Sequence, residues 1–76
     1  MNVDNIPTVE TDGTIRLGQF LQLAQLAEAG AQARELIGGG DVKLDGVVET
    51  QRGRQLEAGM LVEVLLPAGT LSAYVG

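Results

Sequence analysis

The sequence predicts an α+β fold: two short helices, joined as a helix-loop-helix, packed on a small antiparallel sheet. Three observations lead there. Apolar residues recur at helical spacing over 17–24 and again over 31–38, the period then switches to two at Val42, and Asp45-Gly46 divides the strand-like stretch with a two-residue hairpin signal. Helical patterns followed by strand patterns, rather than strict alternation of the two, place the layout in the α+β class.

Taken in order, residues 1–13 read as an extended entry. Pro7 blocks a helix, Thr8-Val9-Glu10-Thr11 has strand character, and Asp12-Gly13 is a turn pair that would fold Thr14-Ile15-Arg16 back as a short return strand. Leu17, Phe20, Leu21 and Ala24 then follow the i, i+3, i+4, i+7 stripe of an amphipathic helix, with Gly18 as an acceptable start and Gln19, Gln22 and Gln25 on the polar side. Leu26 would fall on that polar side if the helix ran on, so the chain is expected to turn near Gln25. Leu26 to Gly30 becomes an apolar connector.

A second helix is expected from Ala31 to about Gly38, burying Ala33, Leu36 and Ile37 while Glu35 points away and Arg34 lies on the flank. Gly38-Gly39-Gly40 stops it, since glycine enters the left-handed region without strain. Val42 and Leu44 then alternate with Asp41, Lys43 and Asp45, and Val47 to Thr50 is the return strand. Gln51 to Gln55 is polar and reads as a flexible loop, and Leu56 anchors the next turn. Met60 to Leu66 forms a strand with Val62, Val64 and Leu66 opposite Glu63, and Pro67-Ala68-Gly69 turns the chain again. The last residues form a short strand or ordered tail.

With 76 residues the chain is one domain, 1–76, and too small for a multi-domain enzyme. It has no Cys and no His, so disulfides, thiol nucleophiles, cysteine-ligated zinc and imidazole proton transfer are all excluded. Gly38-Gly39-Gly40 is not a phosphate loop, because no Lys-Ser/Thr follows and the order is helix to strand. Asp41, Asp45 and Glu49 do not match a calcium loop, so neither a metal nor any cofactor is expected. A sheet this small offers little depth for a carboxylate pair across a cleft, and no enzyme activity is expected. No apolar run approaches the ~20 residues that span a bilayer, and the expected compartment is the cytoplasm.

Net charge is -5, which by itself argues against polyanionic partners, but the charges are segregated. Asp4, Glu10 and Asp12 in residues 1–15 and Glu57 and Glu63 in residues 55–76 stand without any cation. Every cation, namely Arg16, Arg34, Lys43, Arg52 and Arg54, lies between 16 and 54. An anion-binding site therefore has to be built from that middle segment.

Ile15-Arg16-Leu17-Gly18-Gln19-Phe20-Leu21, Ala33-Arg34-Glu35-Leu36-Ile37, Gly40-Asp41-Val42-Lys43-Leu44-Asp45-Gly46, Val48-Glu49-Thr50, Arg52-Gly53-Arg54, and Gly59 with Val62-Glu63-Val64 occur in this order and spacing. Together they resemble the RNA-binding domain named after ribosomal small-subunit protein four, here the S-four domain, and above all its small stand-alone bacterial members. The likeness covers about residues 14–66, leaving 67–76 as the short C-terminal strand or tail. It implies a helix-loop-helix on a small sheet, the αL motif, with cations of both helices and the first hairpin on one RNA-facing surface. Arg16, Arg34, Lys43, Arg52 and Arg54 fall where these relatives carry cations. The departures subtract charge from that surface: Gln22, Gln51, Gln55 and Glu57 stand where relatives usually have Lys or Arg, and Asp45 where they have Asn. Ala29 replaces the Ser that would cap the second helix, and Ala58 and Met60 replace a Pro and an Asp.

Two functions remain open. The resemblance implies binding of structured RNA, ribosomal or another helical RNA, through backbone and shape, since no exposed aromatic residue interleaves the basic segment for base stacking, and no preference for DNA is expected. Composition alone reads Arg16, Arg34 and Lys43 as solvated partners of nearby acids, and Arg52-Gly53-Arg54 as a turn kept soluble by charge. On that reading the chain is a protein-interaction module whose acidic ends suit a basic partner such as a ribosomal protein.

Overall fold

The structure, a computed structural model, describes residues 5–76; Asp4 and the rest of the first four residues of the expected entry segment lie outside the described residues. Its elements are β1 (Thr8–Val9), α1 (Leu17–Leu23), α2 (Gly30–Gly38), β2 (Val42–Leu44), β3 (Val47–Val48), β4 (Leu61–Leu66) and β5 (Gly69–Val75). The strands form one sheet in the order β1-β5-β4-β2-β3. All neighbours are antiparallel except β1 and β5, so the α+β fold carries a mixed sheet with a single parallel pair at one edge.

The apolar periods produce the expected layers. Leu17, Phe20 and Leu21 of α1 and Ala33 and Ile37 of α2 are buried against Val42, Leu44, Val62, Val64, Ala73 and Val75 of the sheet, with Leu36 half-buried beside them. Gln25, at φ 59, turns the chain where the misplaced Leu26 required a turn. Beyond it the amides of Leu26 and Ala27 both donate to the Leu21 carbonyl, at 2.8 and 3.0 Å, which draws these two side chains into the core. At the far end of α2 the chain leaves through Gly40, at φ 83, a conformation costing an L-residue roughly 1–2 kcal/mol.

The β2–β3 hairpin has Leu44 opposite Val47, leaving Asp45 and Gly46 as a two-residue loop. Both have positive φ, 49 and 85, as a type I′ turn requires. The Asp45 backbone amide donates to the Leu61 carbonyl and its carboxylate accepts from the Leu61 amide, each at 2.9 Å, so the turn is tied to the start of β4.

Three segments differ from the expectation. Thr14 to Arg16 does not return along β1: Asp12 accepts from the Thr14 amide (2.9 Å) and hydroxyl (2.8 Å), an Asx turn that redirects the chain. Arg16 instead bridges to Gln55, and β1 pairs with β5, Thr8 beside Tyr74 and Val9 beside Val75. The C-terminal segment, expected as a short strand or tail, is a strand, longer than expected at seven residues and inside the sheet, with Ala73 and Val75 in the core. Finally, residues 51–55 are a loop but not a free one, because α1 holds their backbone.

Candidate nucleic-acid interface

The interface begins with a helix that lacks an ordinary cap. Arg16 stands at the N-cap of α1, and a guanidinium offers donors only, so it cannot satisfy the free amides of the first turn. The 51–55 loop supplies the acceptors. The Leu17 amide donates to the Arg54 carbonyl and the Gly18 amide to the Arg52 carbonyl, both at 2.9 Å, while the Leu56 amide donates to Ile15 at 3.0 Å. Arg16 adds a fourth tie, its Nη1 donating to the Gly53 carbonyl at 2.9 Å, and its own amide is taken by the Gln19 side chain.

The other end of the loop is fixed by Glu49. One carboxylate oxygen accepts from the Gln51 amide at 3.0 Å and the other from Arg54 Nη1 at 2.8 Å. The Gln51 amide, and secondarily the Arg54 guanidinium, hold the Glu49 carboxyl below the usual range for glutamate.

Loop and helices enclose an open groove of about 450 Å³. Arg16, Arg34 and Arg52 line it together with Gln19, Gln22 and Gly30. Arg34 reaches it from the exposed flank of α2, next to buried Ala33, and Gly30 opens α2 so close to α1 that a Cβ there would come within 3.3 Å of Gln22 Nε2. Ala29 provides no side-chain cap, leaving the first amides of α2 without one at the edge of the groove. Three guanidinium groups with amide side chains between them form a donor-rich surface that matches phosphate oxygens and repels cations.

The other two cations sit elsewhere. Lys43 lies between buried Val42 and Leu44, and strand alternation sends it to the face of the sheet away from the helices, beside Glu63 of β4. Arg54 is engaged by Glu49, the one ion pair among the described residues. Gln19 and Gln22, on the polar side of α1, are groove residues. Gly18, Gly30 and Gly53, which let helix, helix and loop meet around the groove, are not readable as site residues from spacing.

A larger depression, about 680 Å³, lies between the entry segment and α1, walled by Glu10, Asp12, Thr14, Ile15 and Leu23. The Thr14 amide and then its hydroxyl keep the Asp12 carboxyl below its ordinary value, so this wall is anionic at neutral pH and unsuited to phosphate. Among the described residues no helix is long and apolar enough to cross a membrane, and no group of three or more acidic side chains is placed to hold a metal ion.

Known proteins resemble this arrangement. The solution structure of YbcJ from E. coli, whose αL motif is involved in RNA binding, superposes with a TM-score of 0.68 at 34% sequence identity, over 99% of this chain and 92% of YbcJ. A tyrosine–tRNA ligase of Ralstonia nicotianae is 38% identical over 60 residues, which is 78% of this chain but 15% of the ligase. The chain thus spans about one-seventh of that relative's length. The model of the S4 domain matches residues 8–71, nearly the whole of the described sheet and both helices, and the chain belongs to the S4 domain family.

Proposed function

We propose that this chain is a non-catalytic RNA-binding domain that recognises structured RNA, ribosomal RNA among the candidates, by phosphate-backbone and shape contacts. One observation carries the reading: Arg16, Arg34 and Arg52, from three separate segments, converge on one groove although the chain as a whole is acidic. Convergence of like charges is electrostatically unfavourable unless an anion shares the site. The 34% identity to YbcJ, whose αL motif is involved in RNA binding, supports it further. The groove offers guanidinium and amide donors, and the chain has no His or Cys to move a proton or attack a substrate near neutral pH.

The second reading, a protein-interaction module for a basic partner, draws on the depression walled by Glu10 and Asp12 and on the net charge of -5. One experiment separates them: a low-salt titration against a panel of structured RNAs and against one basic ribosomal protein. Binding of RNA that weakens with added salt supports the first reading. Binding of the protein with no RNA bound at any salt replaces it with the second.

A further inference from the structure

We propose that the four arginines of the chain divide into two roles: Arg34 and Arg52 contact RNA phosphates, while Arg16 and Arg54 are positioning residues that hold Arg52 over the groove. This rests on the RNA-binding reading and assigns the work within it. The hydrogen-bond pattern carries the division. Arg16 Nη1 is spent on the Gly53 carbonyl and Arg54 Nη1 on the Glu49 carboxylate, whereas the side chains of Arg34 and Arg52 have no partner among the described residues. A phosphate reaching Arg54 would have to share its guanidinium with a carboxylate already seated at 2.8 Å, whose charge offsets it.

Arg52 is enclosed by these ties. The residue before it, Gln51, donates its amide to Glu49; its own carbonyl accepts from Gly18; the residue after it, Gly53, accepts from Arg16; and Arg54 closes the turn through its amide to the Gln51 carbonyl at 3.1 Å. Gly53 on its own would leave the loop with wide conformational freedom. Held at both ends, Arg52 arrives with its backbone already ordered, so binding loses only side-chain freedom.

The roles separate in a double-mutant cycle read with salt dependence. Arg34→Ala and Arg52→Ala should each weaken binding of a structured RNA and flatten the plot of log K against log salt by about 0.7–0.9, one phosphate contact. Arg16→Ala should weaken binding by up to roughly tenfold, as expected for losing one hydrogen bond that orders the loop, with that loss largely absent when Arg52 is already Ala. The discriminating variant replaces Arg16 by citrulline in a synthetic chain of full length, which removes the charge and keeps the Nη donor. Citrulline should leave affinity within about twofold and the slope unchanged, since no phosphate contact is lost. A citrulline chain as weak as the alanine chain, with a flatter slope, makes Arg16 a direct contact and overturns the assignment.

If the unsubstituted chain binds no structured RNA, the RNA reading fails on that result alone. The fastening is measured independently by amide exchange at Leu17 and Gly18 in the free chain. Arg16→Ala should speed both and citrulline neither, and equal exchange in all three chains would show that Arg16 holds nothing.

Discussion

At Lys43 the period-two pattern and the family resemblance point to different faces. Alternation with Val42 and Leu44 places Lys43 on the side of the sheet away from the helices, and the structure has it there beside Glu63, whereas the resemblance groups it with the arginines. The alternation is legible in the residues themselves; which sheet face the helices cover is not, because that depends on contacts between distant segments. Lys43→Ala should therefore leave RNA affinity within about twofold at moderate salt, because Lys43 faces away from the groove beside Glu63 and salt screens exposed charges that make no direct contact, and a filter-binding isotherm checks it. Glu49 makes a pH prediction. Its carboxyl is held below the ordinary value in the folded chain, so the hydrogen bonds to the Gln51 amide and Arg54 contribute fully above the ordinary value and are lost as pH falls through the lowered one. In a carboxyl NMR titration Glu49 should show a lower midpoint than glutamate in an unfolded peptide of the same local sequence, and the Gln51 amide should lose protection, measured against its intrinsic exchange rate, on the acid side.

Among the elements, helices and the central hairpin are readable because each has a local signature: a 3.6-residue stripe, a glycine stop, or the Asp45-Gly46 pair. β1 and β5 are not. That pairing joins residues far apart in the sequence, although Ala73 and Val75 face the core as the alternation of the last residues allows. The 51–55 loop misleads in another way, since its polar composition conceals that its carbonyls serve as the cap of α1. The hairpin offers a sharp test of element stability. Asp45 needs a left-handed backbone and an acceptor for the Leu61 amide. Asn meets both needs, so Asp45→Asn should be nearly neutral, while Asp45→Ala should cost about 1–2 kcal/mol through the backbone conformation, with the lost acceptor adding to it. Urea midpoints at constant slope provide the measurement.

For the molecule as a whole, stability rests on aliphatic packing around Phe20, fully buried where both helices meet the sheet. Phe20→Ala should cost about 3–5 kcal/mol, most of what a domain of this size has, and leave the chain largely unfolded by circular dichroism at 37 °C. Arginine convergence on one side of an acidic body sets the salt response: two direct contacts give a slope of about -1.4 to -1.8, and a slope near -4 would require Arg16, Lys43 and Arg54 to reach phosphate as well. The pairing of β1 with β5 also governs the order in which the chain can assemble as it is made. Thr11 donates its hydroxyl to the carbonyl of Gly76, 65 residues later, and the Tyr74 amide donates to Pro7. During synthesis β1 has no strand to join, and β4 keeps a bare edge, until residues 69–75 leave the ribosomal tunnel. Until then an emerged segment that holds both helices and the β2–β3 hairpin presents an open sheet edge to its neighbours, the state most exposed to mispairing.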